Sequence, residues 1–264
     1  MIHKSEKDIL VVTPTLGKRK TLKKTAETIN QIFPKRAHHI VTGPMSAKKL
    51  ILQLAPHAEF VREKRHEGVY AAVNDVLRDR ASEYKYLTYL NDDDFWLPSY
   101  SGLANILDHN TNIDIAYGRT ICTDENGKTL SPIAHFPIGA AFSNIAVCGI
   151  PIFTQQSSLI RSSLYTELLG FDESYKLVAD TDFFIRANIA KKRIKSIQSY
   201  CSCFCKQEAQ LSNNSELMIF EYQNMISKNN LHCGFKSHLL HACFRIYNLP
   251  NYLIRLLKTR KLKY

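Results

Sequence analysis

A β-forming run at residues 86–90, Tyr-Leu-Thr-Tyr-Leu, ends directly in Asn91-Asp92-Asp93-Asp94. Three adjacent carboxylates repel one another, so a strand end gains nothing from them unless positive charge is brought to it. Mg²⁺ and Mn²⁺ are hard ions that take oxygen ligands, often one or two carboxylates together with substrate phosphates. The feature therefore asks for a sheet whose strand ends open on a ligand crevice. Its competitor is a plain acidic turn, since Asn and Asp are common turn residues. The order of elements along the chain decides between the two.

Residues 8–13, Asp-Ile-Leu-Val-Val-Thr, read as a strand buried on both faces, because the run is β-branched and unbroken. Pro14-Thr15-Leu16-Gly17 breaks it, and Leu22, Ala26, Ile29 and Phe33 then recur at helical spacing over residues 21–33. Residues 39–42 read as a second strand ended by Gly43-Pro44, residues 47–54 as a helix, and residues 59–62 as a third strand. Gly68 precedes a helix over residues 69–80 with Val69, Val73, Val76 and Leu77 on its apolar face. Strand–helix alternation implies an α/β fold with a mainly parallel sheet and ligands beyond the carboxyl ends of its strands. Both the acidic triplet and Thr13-Pro14-Thr15 stand at such ends, which favours the metal and diphosphate reading.

The second half is less regular. Residues 113–117 read as a strand, residues 124–128 as a hairpin turn, and residues 162–169 as a helix capped by Gly170. Residues 180–191 read as a helix with Asp180 and Asp182 in its first turn, where the helix dipole alone favours acids. Cys201, Cys203 and Cys205 alternate, so a strand places all three thiols on one face. Zinc sites use wider spacing, and packed, reduced thiols are the expected state.

The 264 residues, 45% hydrophobic, suffice for one large core. There is no apolar run long enough for a transmembrane helix, and the first eight residues lack the apolar stretch of a signal peptide. A cytoplasmic protein is expected. The net charge of +11 collects late: after Glu221 there is no acid, and eight Lys or Arg residues follow. Residues 236–247 fit a helix with Leu239, Leu240, Cys243, Phe244 and Tyr247 on one side, interrupted by Pro250. Residues 251–263 mix apolar and basic side chains. Such helices suit an anionic membrane surface, or else pack an apolar face on the body. The expected division is residues 1–210 as an α/β domain and residues 211–264 as a basic helical extension.

Four stretches together carry a family resemblance: Val11-Val12-Thr13-Pro14-Thr15; Glu67-Gly68-Val69-Tyr70-Ala71-Ala72-Val73-Asn74; Leu90-Asn91-Asp92-Asp93-Asp94-Phe95; and Leu169-Gly170-Phe171-Asp172-Glu173-Ser174-Tyr175 with Asp180, Asp182 and Arg186 behind it. In this order the chain, from about residue 8 to residue 205, resembles the inverting family-two glycosyltransferases of GT-A fold, especially bacterial members that build surface polysaccharides. The resemblance implies a Rossmann-like nucleotide-diphospho-sugar transferase fold, with a mixed, mostly parallel sheet flanked by helices.

It also implies roles. Asp94, with Asp92, would hold Mn²⁺ or Mg²⁺. Thr13, Pro14, Thr15, Tyr70, Asn74, Asp92 and Asp93 would bind the nucleotide sugar. Asp180 stands where the family has its catalytic base. Gln155, Gln156, Asp182 and Arg186 would line the donor-sugar or acceptor pocket. Asp182 is the rival base, but residues two apart do not share a helix face, so one of the two acids should point away. The implied acceptor is a saccharide or lipid-linked sugar, which suits a peripheral location on the inner face of the cell membrane. Departures are Ala179 and Ala71 where acids are usual, and Val41-Thr42-Gly43-Pro44-Met45 where a base-reading Asp is usual.

Two other functions compete. A sugar-phosphate nucleotidyltransferase would carry a glycine-rich phosphate loop, whereas the turn after the first strand has one glycine, Gly17. A basic nucleic-acid-binding protein is permitted by the charge, but no zinc finger or stacking-aromatic motif is visible, and no nucleic-acid partner is expected.

Overall fold

The computed structural model describes residues 7–124, 127–207, 210 and 214–259. Nine strands form one sheet: β1 (Ile9–Pro14), β2 (Ala37–Gly43), β3 (Glu59–Arg62), β4 (Tyr86–Tyr89), β5 (Phe95–Trp96), β6 (Ile115–Thr123), β7 (Thr129–Pro132), β8 (Ser158–Arg161) and β9 (Ile194–Cys205). Their order is β3-β2-β1-β4-β8-β6-β9-β5, with β7 on β6. The first four strands are parallel, as is the β6–β9 pair, while β8, β5 and β7 run against their neighbours. This is the mixed, mostly parallel sheet expected. The hairpin joining β6 to β7 includes residues 125 and 126, which lie outside the described residues.

Strand β1 shows why its sequence lacks alternation. Leu10 and Val12 point to one face and pack with Tyr70, Val73, Val76 and Leu77. Those four come from helix α3 (Val69–Arg80). Ile9 and Val11 point to the other face and pack with Ile29, Phe33, Leu103 and Leu107. The helices there are α1 (Leu22–Ile32) and α4 (Ser101–His109), with α2 (Lys48–Leu54) beside α1. With both faces covered, every β1 side chain is buried, and a polar residue at any of its positions meets a core. The expected apolar face of α3 needs one correction: Val69 is exposed at the helix start, and Tyr70 is buried in its place.

Two details shape the crevice at the strand ends. A Cβ on Gly43 would stand 2.4 Å from the Thr15 carbonyl oxygen, so the ends of β1 and β2 approach as closely as they do only because residue 43 is glycine. Trp96, in β5, stacks on Tyr100 at 3.8 Å and donates its indole N–H to the Gln156 carbonyl at 3.1 Å. It fixes the chain that leaves the acidic turn.

Helices α5 (Phe142–Ala146), α6 (Ser162–Glu167) and α7 (Ala179–Ile189) belong to the second half. Leu169 and Gly170 both take left-handed φ, +60° and +77°, and close the turn after α6 at the expected cap. The three alternating cysteines of β9 are buried free thiols.

Helices α8 (Ser215–Lys228), α9 (Phe235–Tyr247) and α10 (Leu249–Thr259) close the described chain. They pack on the α/β body through polar groups as well as apolar ones. The buried Glu221 carboxylate accepts from the Lys176 and Leu177 amides, both at 2.8 Å. The Asn248 side chain accepts from the His135 amide and donates to the His135 carbonyl. Helix α10 turns its Asn251 and Arg255 inward and leaves Leu253, Leu256 and Leu257 exposed. Of the two expectations for this segment, an apolar face laid on the body is not the one α10 follows. On α9 the buried residues are Ser237 and Phe244, whereas Leu239, Cys243 and Tyr247 are exposed. Pro250 does not break a helix interior but stands in the first turn of α10, where its missing N–H costs nothing. No helix among the described residues is long and apolar enough to cross a membrane.

Candidate active site

The acidic turn follows β4, at the carboxyl ends of β1 and β4. Its three carboxylates are all buried. Asp92 accepts from the Thr15 hydroxyl and from Arg19 Nη1 at 3.0 Å. Asp93 takes the same guanidinium at 2.8 Å and a hydrogen bond from Gln210 Nε2 at 3.1 Å. Asp94 turns toward β9, where its Oδ1 accepts from the Cys205 amide at 3.0 Å. Thr21 and Thr25 of the α1 start donate to the Asp92 and Asp94 carbonyls, which holds the turn against that helix.

One arginine thus serves two of the three acids. Burial raises the Asp94 carboxyl well above the usual carboxylate range, and the neighbouring Asp93 charge adds to the rise. Burial raises Asp93 as well, against the pull of Arg19. Carboxylate oxygens are the ligands that a hard cation such as Mn²⁺ or Mg²⁺ takes, although the three acids of this turn do not bring theirs within 4.8 Å of one another. Asp94 and Asp92 are the residues that would hold it.

Asp180 stands in the first turn of α7, partly buried, with Oδ1 accepting from the Thr181 amide at 2.7 Å. Burial pushes its carboxyl up to about 6, although the Thr181 amide and the Tyr70 hydroxyl hold it back. The helix N-terminus therefore does not win: desolvation outweighs the favourable dipole even without substrate. A carboxylate of this kind suits proton abstraction near neutral pH.

Tyr89 links the two acidic groups. It is buried at the end of β4, its ring meets Tyr70 edge-on, and burial first, then Tyr70 and the Asp180 charge, with a lesser share from Asp94, hold its hydroxyl proton. Tyr70, packed in the same way, donates to the Leu177 carbonyl at 3.2 Å and lies within reach of Asp180. Tyr222 of α8 also feels the Asp180 charge. Sequence reasoning passed over Tyr89, Tyr222 and Gln210, since none lies in a motif that marks it.

Other expected ligand residues are engaged within the fold. Asn74 is fully buried and completely used. Its Nδ2 donates to the Phe171 carbonyl and Glu173, and its Oδ1 accepts from the Tyr165 hydroxyl and the Phe171 amide. All four bonds of its amide are made, so it ties α3 to the turn after α6. Thr13 is buried, its hydroxyl hydrogen-bonded to His39 Nε2 at 2.9 Å. Burial pulls the His39 imidazole down to about 3. Pro14 is buried beside it.

Asp182 is 1% exposed, and both its oxygens are taken, by Arg186 Nε at 2.7 Å and Asn229 Nδ2 at 2.8 Å. Arg186 also donates to the Leu168 and Gly170 carbonyls. This pair holds the turn after α6 and the end of α8 rather than lining a pocket, and it leaves Asp180 as the acid of the helix start that faces the tyrosines. Gln155 is buried and braces the Tyr89 carbonyl at 2.6 Å. Gln156 is buried beside it.

No known protein family matches the sequence, and no curated protein does. Solved structures do match. The 1–349 fragment of S. aureus TarS in complex with UDP aligns with 92% of this chain and 72% of its own, at 16% identity and a TM-score of 0.64. The same fragment in complex with UDP-GlcNAc aligns with 91% of this chain and 73% of its own, at 14% identity and a TM-score of 0.65. At such identity the shared property is the fold, and the chain has a TarS-like α/β fold of the GT-A type.

Proposed function

We propose that this chain is an inverting glycosyltransferase that moves a sugar from a nucleoside diphosphate sugar to an acceptor hydroxyl. One arrangement carries the reading: three buried carboxylates, Asp92, Asp93 and Asp94, stand at the carboxyl end of β4, with the Thr15 hydroxyl and the Arg19 guanidinium on them. That arrangement stands in a fold whose solved neighbours hold UDP and UDP-GlcNAc. The diphosphate belongs over the strand ends, beside Asp92, Asp93 and the Thr15 turn, and the sugar lies between that turn and Asp180.

In the transfer, the acceptor oxygen bonds to the anomeric carbon while the bond to the diphosphate oxygen breaks on the opposite face. Asp180 takes the acceptor proton, a contribution of about 10²–10⁴ in rate for a placed base. Asp94 and Asp92 would hold Mn²⁺ or Mg²⁺, which supplies Lewis-acid stabilisation of the departing diphosphate. Arg19, already paired with Asp92 and Asp93, keeps the turn from springing apart. Burial keeps the proton affinity of the base up, while the Tyr70 hydroxyl, which donates toward it, steadies its ionised form.

The acceptor we propose is a lipid-linked or growing surface saccharide, met at the anionic inner face of the cell membrane. The outward side of the last two helices supports this. Phe235, Leu239, Ile246, Leu253 and Leu257 are exposed, among the bases Lys236, Arg245 and Lys258. Apolar and basic groups on one surface suit anionic lipid. Flotation with anionic liposomes at low salt, lost in a Leu253→Asp/Leu257→Asp variant, is the expected result. Protein that stays unbound removes the membrane from the proposal.

The reading as a whole is tested by calorimetric binding of UDP, GDP, dTDP and CMP, each with Mn²⁺ or with chelator. One nucleotide should bind in a metal-dependent way to the wild type and not to Asp94→Ala. Failure of all four to bind ends the glycosyltransferase reading.

A further inference from the structure

Cys148, Cys233 and His238 come from three separate segments and meet at one point. Cys148 follows α5, Cys233 lies in the loop between α8 and α9, and His238 is in the first turn of α9. The Cys148 and Cys233 sulfurs are 3.3 Å apart, and Cys233 Sγ is 3.6 Å from His238 Nε2. All three ligand atoms lie within 4.8 Å of one another, and no other group of three such residues does so among the described ones. The cluster is separate from the acidic turn, and the proposed transfer reaction makes no use of it.

These distances can be compared with a bound ion. Tetrahedral zinc with Zn–S of about 2.3 Å and Zn–N of about 2.0 Å sets sulfurs about 3.8 Å apart and sulfur and nitrogen about 3.6 Å apart. The distance from the Cys233 sulfur to the imidazole nitrogen already agrees, and the Cys148 sulfur lies within 4.8 Å of the imidazole. The sulfurs need to open by about half an ångström, a small side-chain rotation at the partly exposed Cys148 and exposed Cys233. Two thiolates and an imidazole form a soft, borderline donor set that selects zinc over the hard ions suited to the acidic turn.

We propose that Cys148, Cys233 and His238 bind one Zn²⁺, with water in the fourth position. Binding displaces the two thiol protons to solvent and leaves the zinc bonded to two sulfurs, one nitrogen and one water oxygen. The ion staples the loop before α9, and α9 itself, to the end of α5. Besides the ion, that contact is made by the Ser237 hydroxyl, which donates to Asn144 Oδ1 at 3.4 Å, and by a weak contact of the Cys148 sulfur to the Ser237 carbonyl at 3.9 Å. Because one ligand comes from the α/β body and two from the last helices, the site fixes the helical extension in place.

The test uses the full-length chain, stripped with chelator under reducing conditions and titrated with Co²⁺, then with Zn²⁺. The expected result is one Co²⁺ per chain, with a thiolate-to-cobalt charge-transfer band and the visible bands of a tetrahedral ion, both removed by one equivalent of Zn²⁺. Cys233→Ser and His238→Gln alter exposed side chains and should each fold. Cys233→Ser should lose the charge-transfer band, and His238→Gln should weaken binding by about 10-fold or more. Cys243→Ser, an exposed cysteine of the same helix outside the cluster, should bind as the wild type does. The proposal is overturned if the reduced wild type shows no thiolate–cobalt band. It is equally overturned if the band survives in a Cys148→Ser/Cys233→Ser variant, or if the pair forms only a disulfide with a peroxide oxidant and takes up no metal.

Discussion

The turn after β4 and the first turn of α7 each crowd carboxylates together, and they relieve the crowding differently. In the β4 turn, Asp92 and Asp93 share one arginine and Asp94 is left buried beside two like charges. In the α7 turn the acids are separated by the helix itself. Asp182 points inward to Arg186 and Asn229, and Asp180 points to the tyrosines. In both places one carboxylate holds the fold and another is left under-compensated. The difference is in what surrounds the second one. Asp94 has lost water and sits beside like charges, whereas Asp180 has lost water alone. Neighbouring residues of one type thus acquire different chemistry from their partners and not from their position in a motif.

The sharpest way to break this comparison is Asp180→Asn. Turnover should fall about 10²–10⁴-fold while metal-dependent nucleotide binding stays intact. A variant within a few-fold of wild type would remove the base from α7. Next in size is Asp182→Asn, which strands a partly buried guanidinium and should cost about 3 kcal/mol of stability in urea unfolding. Unchanged stability would mean that the pair with Arg186 does not hold the α6 turn.

A smaller effect separates the two acids again. The folded Asp180 pKa of about 6 lies above the ordinary Asp value of 3.8. Between those values the folded chain binds more protons, so stability falls as pH rises through that window. Asp180→Asn should therefore be more stable than wild type at pH 7, by about 1–3 kcal/mol, with the gain shrinking toward pH 4. A variant less stable than wild type at pH 7 would contradict the burial argument. The smallest effect is on the rate profile. With Asp180 active only when ionised, kcat/KM should drop about tenfold per pH unit below 6 and level off above it. A profile flat down to pH 5 would show that another group takes the proton.

The sheet was legible because buried parallel strands leave unbroken apolar runs, as at residues 9–12 and 86–90. Asp180 and Asp182 were separable for a similar reason: an i, i+2 pair on a helix cannot share a face. Other features left no such trace. Asn74 matches a motif, yet its amide is used up by partners at Tyr165, Phe171 and Glu173, brought near only by the fold. Tyr89 looked like one more strand aromatic, and its edge-on packing against Tyr70 and Phe171 comes only from the fold. The last helix deceived in a different way. Periodicity tells which residues share a side, but not which side meets the body, and α10 buries Asn251 and Arg255 instead of its leucines.

Trp96 is the only tryptophan in the chain, two residues beyond Asp94, buried against Tyr100 and anchored to the Gln156 carbonyl. The protein therefore carries a single built-in fluorophore at the rim of its acidic turn. Excited at wavelengths that tyrosine does not absorb, all its light comes from that place. Its emission should lie toward the blue and resist quenching by iodide, and any change when a nucleotide and a metal are added should originate beside Asp94, with no label attached.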